Sequence, residues 1–162
     1  MLLTGSFGVG KTTVAVEMAD ILEKRGELDA VIDLDWLTWA AAADDDAEHR
    51  MMLTNLAPVL ENYRRAGIRS FIFARAIRNA SDLKGLRDTV AMPLHVVRLT
   101  LEWEEIELRL SSDVTSGRKD DLREAAARMS RSEGEGFEDV VIANDRPVRV
   151  VALEILAWLG WR

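Results

Sequence analysis

Residues Gly5-Ser6-Phe7-Gly8-Val9-Gly10-Lys11-Thr12 carry the spacing G-x-x-x-x-G-K-[ST], which suits a polyphosphate. Glycines at 5, 8 and 10 open backbone conformations closed to other residues, so successive N–H groups of the loop can converge on phosphate oxygens. Lys11 supplies a cation for the β- and γ-phosphates, the Thr12 hydroxyl is an oxygen ligand for Mg²⁺, and Thr13 stands where it supports the α-phosphate. An apolar run at 1–4 reads as a buried strand, and apolar residues recur at helical spacing from Thr13 to Arg25. The loop therefore falls where a strand turns into a helix, whose positive N-terminal end faces the same anion. The competing reading, a glycine-rich turn that only caps a helix, is disfavoured by four fixed positions with both flanks in place.

A second constellation is Val31-Ile32-Asp33-Leu34-Asp35, with two carboxylates one residue apart at the end of an apolar run. They share a side if the extended conformation continues through them, one carboxylate then serving a metal and the other a substrate. The alternative is that they end a strand and cap the next helix. Arg75 and Arg78 follow the third apolar run, where they either hold an anionic acceptor or pair with carboxylates. Asp44-Asp45-Asp46 reads as a solvated turn or helix start more readily than as a metal cluster.

These groups need a frame. Apolar, β-branched runs at 1–4, 30–33, 68–74, 94–99 and 140–143 alternate with helical patterns at 11–25, 47–66, 81–87, 102–110, 120–132 and 147–159. Such alternation predicts an α/β fold with a parallel sheet and right-handed crossovers, ligands gathering outside the carboxyl ends of the strands. Gly26 and Gly67 are helix stops, and Asp120 and Asp145 are candidate caps or turn formers. At 162 residues the chain reads as a single domain, residues 1–162.

Hydrophobic residues make up 48% and charged residues 30%, without an apolar stretch of bilayer-spanning length or a signal peptide, so no membrane partner and a cytoplasmic location are expected. No cysteine is present and the histidines are His49 and His95, which disfavours disulfides and zinc sites. A net charge of −7 argues against nucleic acid as the main partner.

With its phosphate loop followed by an acidic motif on the second strand, the chain resembles the small-molecule P-loop kinases: the shikimate, gluconate and adenylylsulfate kinases and chloramphenicol phosphotransferase. The resemblance implies a three-layer α/β/α P-loop NTPase fold with a five-stranded parallel sheet and a small helical lid at about 109–123. It implies ATP and Mg²⁺ as cofactors and a small-molecule acceptor as partner, in a monomer or homodimer. By resemblance Asp35 contacts the acceptor hydroxyl and Asp33, with Thr12, lies near Mg²⁺. Arg118 is the first choice for the lid arginine that reaches the phosphates, Arg109 the second and Arg128 the third. Asn144 and Arg146, after the last strand, flank the base, unless they form a plain turn before the final helix. The guanine signature Asn-Lys-x-Asp is absent.

The third strand departs from the resemblance, since Ala74-Arg75 replaces the acidic residue that many P-loop proteins use for Mg²⁺. Trp36 and Trp39 form either an apolar wall for a ring-bearing acceptor or part of the core. The expected activity is transfer of the γ-phosphoryl group of ATP to an acceptor hydroxyl, with Lys11, Asp35 and Arg118 as catalytic residues. The alternative is a nucleotide-binding regulatory ATPase or switch protein acting through a protein partner.

Overall fold

The computed structural model describes residues 1–38, 44–111, 126 and 136–161. Among these, β1 (Leu2–Thr4), β2 (Asp29–Asp33), β3 (Ser70–Ala74), β4 (Val96–Thr100) and β5 (Val140–Ala143) form one all-parallel sheet in the order β2-β3-β1-β4-β5. The register sets Leu2 between Phe73 and Val96, and Asp33 opposite Ala74. β1 therefore lies at the centre, and the loop after it opens at the middle of the sheet's carboxyl edge.

Side chains alternate between the two faces, and each face is covered by helices. Leu3, Ile72, Val97 and Ile142 pack toward α1 (Lys11–Lys24) and α5 (Val148–Leu159), where Met18 and Ile155 are fully buried. Leu2, Phe71, Phe73 and Val96 face the other way, against α2 (Asp45–Arg65) and α3 (Ala80–Val90). Phe71 and Phe73, two residues apart, stack with ring centroids 5.9 Å apart. The result is the α/β/α sandwich expected from the strand–helix alternation. A shorter α4 (Trp103–Ser111) leads from β4 and buries Ile106 and Leu110 near Phe7.

Element ends differ from the sequence pattern by at most three residues. The strand expected from 68 begins at Ser70, because Ile68 N–H returns to the Tyr63 carbonyl behind Gly67 and so completes the end of α2. α3 runs to Val90, three residues beyond the expected end, and closes on Ala91 at a φ of 52°. Asp44 starts α2, its carboxylate accepting from Ala47 N–H at 2.7 Å, so the aspartate run is a helix start. Asn79 caps α3 in the same way, whereas Asp145 is not the cap of α5, which begins behind Pro147 without a side-chain cap. The expected helix at 120–132 and most of the expected lid fall outside the described residues.

Candidate functional site

The loop of residues 5–10 joins β1 to α1, and its shape depends on glycine at two close approaches. Gly5 has a φ of 133°, and a Cβ there would meet the Leu99 carbonyl oxygen at 2.4 Å. Gly10, with a φ of 94°, forms the N-cap of α1, and a Cβ would lie 2.6 Å from Asn144 Nδ2. No side chain caps α1. Its first N–H groups are left without a side-chain cap, an arrangement in which an anion would satisfy them and the helix dipole together. Lys11 Nζ donates to the Gly5 and Ser6 carbonyls at 3.2 and 3.0 Å, which folds the ammonium back over the loop.

Asp33 and Asp35 part company. The extended conformation expected to carry both to one side stops at Asp33, because its Oδ1 accepts from Asp35 N–H at 3.0 Å and starts a 3-10 turn over Leu34–Leu37. Asp33 Oδ2 accepts from Thr12 Oγ1 at 2.7 Å, so the residues expected near Mg²⁺ are in contact. Asp35 turns toward Arg75, whose Nη1 donates to its Oδ1 at 3.0 Å. Although the Asp35 side chain is 58% exposed, it stands in a cleft. Burial there pushes its carboxyl above the ordinary aspartate value, the positive charges of Arg75 and Lys11 opposing and the negative charges of Asp33 and Glu48 adding.

Two clefts meet at this point. One, of about 530 Å³, runs over the loop past Phe7, Lys11, Thr12 and Thr13 to Arg109, Asn144 and Arg146, with Asp35 on its border. The other, of about 280 Å³, is lined by Asp45, Glu48, Arg75, Ala76 and Arg78. Phe7, Lys11 and Asp35 line both.

Arg109 Nη2 donates to the Asn144 carbonyl at 2.9 Å, which brings α4 against the end of β5. Asn144 itself is 4% exposed, its Nδ2 donating to the Val9 carbonyl at 2.7 Å, so its side chain supports the phosphate loop. Arg146 borders the larger cleft but also pairs with Glu154 at 2.7 Å and Asp145 at 3.4 Å. Trp36 is 68% exposed on the 3-10 turn, outside the core. Arg118, Arg128 and Trp39 lie outside the described residues.

Glu48 is the site residue that sequence reasoning missed. Its Oε1 accepts from Thr38 Oγ1 at 3.1 Å and from Arg75 Nη2 at 3.2 Å, so the Arg75 guanidinium bridges Asp35 and Glu48. The pattern offers one weak signal, an acid in the first turn of a helix, which serves the helix dipole equally well.

No protein-family model matches the chain, and no curated protein matches it. Solved structures do. A tunicamycin resistance protein from Deinococcus radiodurans superposes with a TM-score of 0.68 at 21% identity, covering 100% of this chain and 95% of its own. A gluconokinase from Sinorhizobium meliloti 1021 gives 0.66 at 19% identity, over 98% and 90% of the two chains. The APS kinase of Mycobacterium tuberculosis, solved with AMPPNP and APS, gives 0.66 at 18% identity, over 98% and 96%. With a glycine-rich loop between the central strand and the first helix of an all-parallel sheet, this chain has the three-layer fold of the P-loop small-molecule kinases.

Proposed function

We propose that this protein transfers the γ-phosphoryl group of ATP to a hydroxyl of a small-molecule acceptor, in one domain spanning residues 1–162. The observation that carries this reading is the junction of the two clefts at Lys11 and Asp35. A nucleotide seated along the loop has its terminal phosphate at that junction, and an acceptor in the smaller cleft presents its hydroxyl to the same point.

In this reading the loop N–H groups and the N-terminus of α1 hold the phosphates, and Lys11 exchanges its two carbonyl partners for phosphate oxygens. Asp35 orients the acceptor O–H and takes its proton as the acceptor oxygen bonds to the γ-phosphorus. The bond to the bridging oxygen breaks, leaving ADP. Positioning is the protein's main contribution to such a reaction. Arg109 and Arg146 border the nucleotide, and Arg118 is assigned the neutralisation of transition-state charge at the lid.

Mg²⁺ fits the residues present. Thr12 Oγ1 and the Asp33 carboxylate are adjacent hard oxygen donors, and phosphate and water complete such a shell. They would hold the ion, which when bound supplies neutralisation of phosphate charge.

The test is ATP turnover with and without a panel of sugars, nucleosides, shikimate-like acids, and aminoglycoside and phenicol antibiotics. Acceptor-dependent ADP release is expected, lost at least about a hundredfold in Lys11→Ala and in Asp35→Asn. Hydrolysis indifferent to every acceptor, lost in Lys11→Ala yet unchanged in Asp35→Asn, identifies a regulatory ATPase instead.

A further inference from the structure

We propose that the acceptor is a neutral or cationic polyhydroxyl compound and not a carboxylate, sulfate or phosphate ester, because the arginines bordering the acceptor cleft are already held by the protein's own carboxylates. The inference rests on the phosphotransferase reading and narrows its substrate class.

Arginine recognises an anionic ligand by offering two N–H groups along one edge. Both arginines here already spend such N–H groups on the protein's own carboxylates. Arg75, whose side chain is 11% exposed, has Nη1 on Asp35 at 3.0 Å and Nη2 on Glu48 at 3.2 Å. Arg78 holds Asp82 bidentately through Nε at 2.7 Å and Nη2 at 3.1 Å. Its Nη1 lies 3.2 Å from Asp45 and its Nη2 3.3 Å from Asp46. An acidic acceptor gains an arginine only by displacing a carboxylate and leaving it uncompensated beside the new negative charge.

Charge at the cleft points the same way. Among the described residues, five carboxylates, on Asp35, Asp45, Asp46, Glu48 and Asp82, surround Arg75 and Arg78, and the other cation lining the cleft is Lys11. Under the proposed function Lys11 is taken by ATP, which adds further negative charge. Carboxylates are acceptors only, so the ligand groups that suit this wall are donors: hydroxyls and ammonium groups. The cleft volume of about 280 Å³ lies just below the ~300–1,000 Å³ typical of ligand pockets, which suits a compact acceptor.

The experiment compares acceptors in pairs that differ in charge: glucose and glucosamine against glucuronate, sorbitol against gluconate, and a nucleoside against its 5′-monophosphate. ADP release is followed in a coupled assay and the product by phosphorus NMR. Expected is a kcat/KM for the neutral or amino member at least about tenfold above that of its acidic counterpart. In the double variant Asp45→Asn/Asp46→Asn, which loosens Arg78 at exposed positions, that ratio is expected to fall several-fold. Wild-type preference for the acidic members, equal use of both, or a ratio unchanged in the double variant overturns this inference and leaves the phosphotransferase reading standing. Nucleotide binding without transfer to any member of either set overturns both.

Discussion

Asn144 donates its side-chain amide to the carbonyl of Val9 at 2.7 Å, tying the end of the edge strand β5 to the phosphate loop after the central strand β1. Val9 is fully buried and Asn144 nearly so, which leaves water no access to replace the bond. Removing the amide in Asn144→Ala strands a buried carbonyl, at a cost of about 1–3 kcal/mol. Thermal denaturation should show a lower melting temperature, and calorimetry with an ATP analogue a weaker affinity, since the loop loses its brace. A variant with full stability and full nucleotide affinity would remove Asn144 from this role.

Thr12 and Asp33 share a 2.7 Å hydrogen bond and are the oxygen donors proposed for Mg²⁺. Thr12→Val deletes one donor while keeping the shape, and Thr12→Ser keeps the hydroxyl. The valine variant should need at least about tenfold more Mg²⁺ for half-maximal binding of an ATP analogue, and the serine variant should behave as wild type. Stability should change by less than about 1 kcal/mol in both, because the position is exposed. Equal Mg²⁺ dependence in the two variants would contradict the assignment.

Asp35 gives a pH signature. Its carboxyl is raised above the ordinary aspartate value in the folded protein, so folding favours the protonated form, and the stability it contributes at low pH is lost as pH climbs from the ordinary value through the raised one. For activity the sign is opposite: in the proposed reaction the ionised form orients the acceptor, so kcat/KM should climb over that same interval. The acidic limb of the profile should therefore lie above the ordinary aspartate range, and Asp35→Asn should abolish it along with most of the rate. Arg75→Lys, which weakens the bridge between Asp35 and Glu48, should move the limb further up, since an opposing positive charge is no longer held beside the carboxyl. A limb unmoved by that change would uncouple Arg75 from Asp35.

Ala91 ends α3 in the left-handed region at a φ of 52°, its N–H bonded to the Arg87 carbonyl. A Cβ is strained there by about 1–2 kcal/mol. Glycine relieves the strain but adds freedom to the unfolded chain, so Ala91→Gly should stabilise by a net ~0.5 kcal/mol. The melting temperature should rise by about 1–2 °C. The position is exposed and outside both clefts, so nucleotide affinity should not change. A lower melting temperature would show that the cap is not strained.

The elements were legible because their signals are local. Eight contiguous residues specify the loop, and period-2 and period-3.6 patterns locate the strands and helices to within a few residues. What was not legible depended on a turn or on partners far along the chain. Asp33 and Asp35 were expected on one side if the strand ran through both, or as a strand end and cap; a single hydrogen bond from Asp35 N–H to the Asp33 carboxylate ends the strand between them. Arg75 and Arg78 allowed two readings, because Glu48 and Asp35 lie 27 and 40 residues from Arg75 and nothing nearby marks them as its partners. Asn144 was expected to flank the base or to form a plain turn; it lines the larger cleft, and its side-chain bond to a carbonyl 135 residues away had no local signal.

Legible in the chain alone were a glycine-rich loop with phosphate-binding spacing between a strand and a helix, an α/β alternation, and carboxylates at the end of the second strand, since each of these is written in residues close together. Which groups meet was settled by folding. The strand order β2-β3-β1-β4-β5 brings Asp33 beside β3, Arg75 beneath Asp35, and Asn144 against the phosphate loop. Those contacts arise from burying both faces of one sheet, a constraint on the whole chain that no short segment encodes.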